Sequence, residues 1–198
     1  QLLDCDDQNY GCQGGWMYEG FEYISKHGIL KKSDYRPFDK SKGQCEVQQN
    51  TLDQNAVLRN IGYVERDRRS NEELRKMVAK QPVSIGMRIS PVLNSYSNGI
   101  ATEQFLHCSS DEWEVNHGVL LVGYGTAHPN TETDDFAVDG KCTEYWVIRN
   151  SWGARWGEHG FFKLCADGVG SAETPLGSCL VNKYAVIPTM STDDIEAE

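Results

Sequence analysis

His117 and Asn150 are the residues of this chain whose type and setting offer the most specific chemistry. His117 stands at the head of the apolar run Val119–Val122 and follows the polar stretch Ser109–Glu114. A histidine at the mouth of a buried strand is held rigidly yet reaches solvent, which suits a general base or the cationic half of an ion pair. The other four histidines read as surface residues: His27 beside a helix stop, His107 beside Cys108, His128 in a polar loop and His159 in a glycine turn. Asn150 closes the strand-like Tyr145–Arg149 and leads into Ser151-Trp152-Gly153-Ala154-Arg155-Trp156-Gly157. That run is either an aromatic-rich turn or a catalytic support. In the second case the amide oxygen accepts from an imidazole N–H, Trp152 covers the bond from water, and the histidine tautomer is fixed for a thiol nucleophile. A third segment, Tyr10-Gly11-Cys12-Gln13-Gly14-Gly15-Trp16, either turns the chain into a helix or lets a bare backbone approach an extended peptide.

These residues need elements to hold them. Residues 15–27 carry Met17, Phe21 and Ile24 at helical spacing, with Gly28 as a stop. Residues 29–56, with Pro37, Gly43 and Cys45, read as a long polar surface excursion. A second helix is predicted from Asn71 to Lys80, with Ser70 as N-cap, Glu73 closing a capping box and Pro82 ending it. Strand patterns follow at 83–87, 118–125, 145–149, 160–164 and 183–187. Helices early and strands late predict an α+β fold with a helical lobe and a β lobe, the boundary falling between residues 55 and 85. The expected division is a partial helical lobe over 1–70, a β lobe with a capping helix over 71–188, and an acidic tail over 189–198. Residues 126–143 read as a polar, acidic insertion.

The chain has 198 residues, enough for one domain or two small lobes around a real core. Its 29 acidic residues outnumber 19 basic ones, a net charge of −10, which argues against nucleic acid or anionic lipid as the main partner. No stretch approaches the roughly 20 apolar residues that span a bilayer. The seven cysteines show no C-x₂-C pair of the kind zinc sites use, so no metal is expected. Their wide spacing fits a disulfide framework in an oxidising compartment: a secretory, lysosomal or vacuolar lumen, or the extracellular space. The odd count leaves one thiol without an internal partner. The first residues, Gln1-Leu2-Leu3-Asp4-Cys5, have neither an initiator Met nor the pattern of a signal peptide, and read as the start of a processed or partial product.

Taken together, Leu3-Asp4-Cys5, Gly11-Cys12-Gln13-Gly14-Gly15, Asn116-His117-Gly118-Val119-Leu120-Leu121-Val122-Gly123-Tyr124-Gly125, Asn150-Ser151-Trp152-Gly153 and Trp156-Gly157 resemble the papain-like cysteine peptidases, in family order and over nearly the whole chain. The resemblance implies a two-lobed α+β fold, with an incomplete helical lobe and an antiparallel, barrel-like β lobe. It makes His117 the catalytic histidine, Asn150 its orienter and Trp152 the shield. Gly14 and Gly15 would hold the substrate backbone; Trp16, Met17, Val115, Gly118 and Tyr184 would line an apolar pocket, closed by Tyr184, for the second residue before the scissile bond. It also implies the bridges Cys5–Cys45 and Cys108–Cys179, each stabilising by roughly 4 kcal/mol in the chain-entropy estimate. Cys142 and Cys165, outside the family pattern, raise the expectation of a bridge across the hairpin around Asn150. The family pairs the cysteine at Cys12 with one further upstream, so its partner would lie outside this chain.

The family's nucleophile is not here. It lies in a Gln…Cys-Gly-Ser-Cys-Trp segment upstream of every motif above, together with the oxyanion-hole glutamine and the central helix. The expectation is therefore a cysteine peptidase whose thiol comes from a companion polypeptide or a segment not in this chain, acting on peptide substrates without a cofactor and inactive as this chain alone. The competing class is a catalytically inactive relative serving as a binding or structural subunit of a larger assembly. The residue at the nucleophile position separates them. A disulfide-rich adhesion module would need every motif above to be coincidental.

Overall fold

The computed structural model describes residues 1–47, 62–67, 70–108, 115–127, 142–166 and 176–189, with the side chains of 64–67 left aside. The tail, most of the 126–143 insertion and the later part of the 29–56 excursion lie outside the described residues. The chain divides into two compact units, Gln1–Val64 with Pro188–Glu198, and Glu65–Ile187.

In the first unit, α1 (Leu2–Cys5) precedes a 3₁₀ turn at Gly11–Gln13 and α2 (Met17–His27). The second helix starts two residues later than its apolar spacing predicts, because Gly14 has φ 111° and Trp16 is extended at its N-cap. It stops at Gly28, where φ is 74° and the backbone N–H reaches the Ile24 carbonyl at 2.7 Å. A side chain would resist that conformation. The Gln1 amide secures the exit, accepting from the N–H of Leu30 at 2.9 Å and donating to the carbonyl of Gly28 at 3.0 Å. Further along, the excursion is tied back through Asp4 and the Cys5–Cys45 bridge. The Asp4 carboxylate, 4% exposed, accepts from Gly43 N–H (2.6 Å), the Tyr35 hydroxyl (2.9 Å) and Arg36 Nη2 (2.9 Å) and Nε (3.1 Å).

The second unit is built on strands. Seven strands form one sheet in the order β1-β7-β2-β4-β5-β6-β3, with β1 at Gly62–Asp67, β2 at Val83–Met87, β3 at Ile100–Ala101, β4 at His117–Thr126, β5 at Glu144–Arg149, β6 at Phe161–Cys165 and β7 at Tyr184–Thr189. Every described pairing is antiparallel, as expected of the β lobe, except that of the two-residue β3 with β6, which is parallel. Alternation fills the core: Val83, Ile85, Met87, Leu121, Trp146, Ile148, Phe162 and Leu164 are fully buried. The helix α3 (Asn71–Lys80) carries the predicted capping box, Ser70 and Glu73 each accepting from the other's backbone N–H, and buries Leu74, Met77 and Val78. A short α4 (Glu103–Leu106) was not legible in the sequence pattern. Two bridges, Cys108–Cys179 and Cys142–Cys165, lie in this unit. Arg75 on α3 pairs with Glu144 on β5 and rests its guanidinium 5.8 Å from the Trp146 ring centroid.

Burial alone would raise the pKa of Asp4, but the Gly43 N–H, the Tyr35 hydroxyl and Arg36 outweigh it and hold the carboxyl below its ordinary value. A carboxylate depressed in the folded state stabilises above its unfolded pKa of about 3.9, and that contribution fades as pH falls from there through the folded value. Asp4→Asn should therefore melt several degrees below the wild type at pH 5–7. The gap, followed by circular dichroism, should narrow below about pH 4. A gap constant down to pH 2 would contradict the assignment.

Candidate active site

His117 is the first residue of β4, opposite Met87 on β2, and is half-buried. Its Nε2 lies 2.9 Å from the side-chain Oδ1 of Asn150, which follows β5 directly and is 7% exposed. Sheet register brings the two together. Leu121 faces Ile148 and Leu120 faces Arg149, so alternation puts His117 and Asn150 on the buried Leu121–Ile148 face as diagonal neighbours. A β-bulge between Leu121 and Gly123 makes this possible. Beyond it Gly123 faces Val147 and Tyr124 faces Trp146; carried on unbroken, that register would set Asn150 opposite Leu120 and leave His117 on the other face.

The amide oxygen has a second donor. Ser151 N–H reaches Asn150 Oδ1 at 2.8 Å, and a backbone N–H can only donate, so the atom facing both groups is the oxygen and not the amide nitrogen. The ring nitrogen facing it must then be the donor. Nε2 carries the proton, and Nδ1 of the neutral ring is left with its lone pair. The Trp152 ring lies beside the imidazole, centroids 5.4 Å apart, and packs edge-on against Trp156 at 4.9 Å. Trp156 in turn meets Phe162 and Tyr96, each at 5.7 Å. This aromatic row anchors the turn after Asn150. Gly157, at φ 54°, has no room for a side chain: a Cβ would sit 2.6 Å from the Phe161 carbonyl oxygen.

Val115, Gly118 and Tyr184 are gathered around Gly86. Gly86 pairs with Gly118 on one side and Tyr184 on the other, and a Cβ there would meet Val115 Cγ1 at 2.9 Å. In the first unit, Gly14, Gly15, Trp16 and Met17 are consecutive on the approach to α2. Gly15 packs on Asn9, whose Oδ1 accepts from Trp16 N–H at 2.6 Å; a Cβ on Gly15 would fall 1.9 Å from that oxygen. Gly15 is exposed, and among the described residues its own N–H and C=O take part in no hydrogen bond. A peptide group so placed can pair with an extended chain. Cys12, just before it, is exposed and unbridged.

Set against known protein families, residues 1–189 match the papain family of cysteine proteases. The chain belongs to that family. It is 38% identical to vignain of Phaseolus vulgaris over 190 residues, 94% of this chain and 46% of the relative. It is 36% identical to cysteine proteinase EP-B 1 of Hordeum vulgare over 190 residues, 95% and 45% of the two chains. Among solved structures it resembles the bromelain protease of Ananas comosus in complex with the E64 inhibitor, with a TM-score of 0.75, 28% identity, and 96% and 76% of the two chains covered. It also resembles digestive procathepsin L2 of Tenebrio molitor, with a TM-score of 0.75, 30% identity, and 95% and 51% covered. The chain spans about half the length of the curated relatives it matches.

Sequence reasoning assigned no role to Asn9 in the first unit or to Gly86 and Ser151 in the second. Glycine inside a strand is the one signal that could have pointed to Gly86. Nothing in the local pattern marks Asn9, whose contact spans seven residues.

Two outcomes follow from this geometry. Gly15→Ala should destabilise the chain by about 1–3 kcal/mol in urea unfolding, since Asn9 must give way; an unchanged midpoint would show that the loop yields freely. Iodoacetamide applied to this 198-residue chain before reduction should label Cys12 and no other cysteine; six or seven labelled sites would contradict the bridges.

Proposed function

We propose that this chain is the part of a cysteine peptidase that supplies the histidine, its orienting amide and much of the substrate cleft, while a segment outside it supplies the nucleophilic thiol and the oxyanion-hole glutamine. The observation that carries the reading is the 2.9 Å Nε2–Oδ1 contact with its tautomer fixed by Ser151, because it leaves Nδ1 as the nitrogen free to exchange a proton with a sulfur. Family membership supports it.

In this mechanism the thiol gives its proton to His117 Nδ1, and the thiolate–imidazolium pair waits for substrate. The sulfur attacks the peptide carbonyl carbon, and the electron pair moves to the oxygen. As that oxyanion collapses, the C–N bond breaks and His117 Nδ1–H protonates the departing amine. Water, deprotonated by Nδ1, then attacks the thioester, the carboxylic acid leaves and the thiolate is restored. Asn150 holds the ring through each step, and Trp152 keeps water from the hydrogen bond between His117 and Asn150. Gly15, beside Gly14, pairs with the extended substrate backbone. Trp16, Met17, Val115, Gly118 and Tyr184 receive an apolar side chain at the second position before the scissile bond; Tyr184 keeps that pocket shallow and gives no carboxylate for an arginine.

In the same reading residues 1–70 belong to a helical lobe, 71–188 to a β lobe and 189–198 to a tail. Cys12 bonds to the companion segment that carries the thiol. Three disulfides support an oxidising lumen or the extracellular space as the working compartment.

N-terminal sequencing and intact mass of the native protein, with and without reductant, identify any companion polypeptide and the residue at the nucleophile position. Cysteine there supports the peptidase; serine or glycine makes the protein an inactive subunit. With that segment present, His117→Ala should lower turnover of a peptide substrate at least about 100-fold and leave thermal unfolding nearly unchanged. Undiminished turnover would overturn the role of His117.

A further inference from the structure

Lysine is seldom buried, because its ammonium is strongly hydrated, yet Lys183 is only 4% exposed. Its Nζ lies 5.0 Å from the centroid of the Tyr184 ring, within the range over which an aromatic face attracts an ammonium. Adjacent residues can touch by accident of sequence; here both backbones are fixed. Lys183 N–H donates to the Leu180 carbonyl at 2.9 Å, and Asn182 N–H to that of Leu176 at 2.9 Å. Just before them, the Cys179 carbonyl accepts from Arg88 N–H at 2.8 Å, and Cys179 is bridged to Cys108. Tyr184 then opens β7 opposite Gly86. Ring and ammonium stand on a stretch pinned on both sides.

The ring leans over Gly86, where a Cβ would meet Tyr184 Cδ2 at 3.6 Å. Next across the sheet, Gly118 leaves open space: a Cβ there would meet no atom within 4 Å. A substrate side chain received beside these two glycines meets a ring that already carries a positive charge. An apolar side chain is indifferent to that charge. An arginine or lysine side chain loses twice, because the ring's attraction for cations is already engaged and because two like charges lie close together where water screens them little. The net charge of −10 works the other way and draws cationic substrates from a distance. That field is screened over about 8 Å at physiological salt, so beside the ring the neighbouring ammonium prevails.

We infer that Lys183 is a specificity-determining residue which, through Tyr184, excludes cationic side chains from the second position before the scissile bond. The inference rests on the peptidase reading above and deepens it. The lack of a carboxylate leaves an arginine without a partner, whereas Lys183 turns it away. Specificity is a difference between two affinities, and a repulsive group widens that difference as well as an attractive one.

The test uses the full-length enzyme, with its thiol segment, on peptides that differ only at that position: leucine, arginine, or citrulline, the uncharged analogue of arginine. In the wild type kcat/KM should fall in the order leucine, citrulline, arginine. Lys183→Met keeps a long apolar stem and removes the charge, and should raise kcat/KM for arginine relative to citrulline by about 3- to 10-fold. Lys183→Arg should keep the wild-type ratio. A pocket merely loosened by the substitution would change arginine and citrulline alike. An unchanged ratio in folded Lys183→Met would overturn the inference, as would a wild type that cleaves the arginine peptide as well as the citrulline one. If the methionine variant fails to fold, Lys183→Gln should show the same shift. Were the parent reading at fault instead, His117→Ala would keep the wild-type rate; a failure confined to the arginine–citrulline ratio overturns the role of Lys183 alone.

Discussion

One hydrogen bond, between an imidazole and an amide brought to the same face of two strands, is the constraint around which this part of the sheet is arranged. It needs a side chain from the start of β4 and another from the end of β5 to meet across the ladder. Register parity is unforgiving: a slip of one residue sends every side chain to the opposite face. The bulge at Val122 reconciles two demands on one hairpin. It keeps the Glu144–Trp146 end in one phase and the Asn150 end in the other. The Cys142–Cys165 bridge and the Arg75–Glu144 pair hold the first end. The tryptophan row and the glycine turn hold the second.

The chemistry depends less on which groups are present than on which of their atoms remain free. Ser151 N–H decides the orientation of the Asn150 amide, the amide decides the imidazole tautomer, and the tautomer decides which nitrogen is open. Each link costs one ordinary hydrogen bond, and none survives reversal of the one before it. A similar economy serves the glycine loop. Asn9 takes up the N–H of Trp16, and Gly15 is left with a peptide group that no described residue engages.

Elements with a strong internal period were legible in the sequence. The capping box of α3 and the strands over 83–87, 145–149 and 184–187 are visible because alternation or a cap leaves a local mark. That His117 and Asn150 would meet was legible through family resemblance joined to residue type: a histidine before an apolar run, an asparagine before a Trp-Gly turn. What stayed hidden was set by distant contacts. Strand β1, Gly62–Asp67, has one adjacent apolar pair among charged residues and shows no clear alternation. The parallel partner of β6 is two residues long. The bulge at Val122 follows from pairing and not from composition, and the hydrogen bond from Ile89 N–H to the Asn116 side chain spans 27 positions.

The tautomer of His117 tests the account most directly. Nitrogen-15 NMR of histidine-labelled protein, at a pH where the ring is neutral, should give a protonated, pyrrole-type signal for Nε2 and a bare, pyridine-type signal for Nδ1; in Asn150→Ala the two should move toward averaged values. A proton resident on Nδ1, or signals already averaged in the wild type, would contradict the claim that the amide holds the imidazole ready for a sulfur.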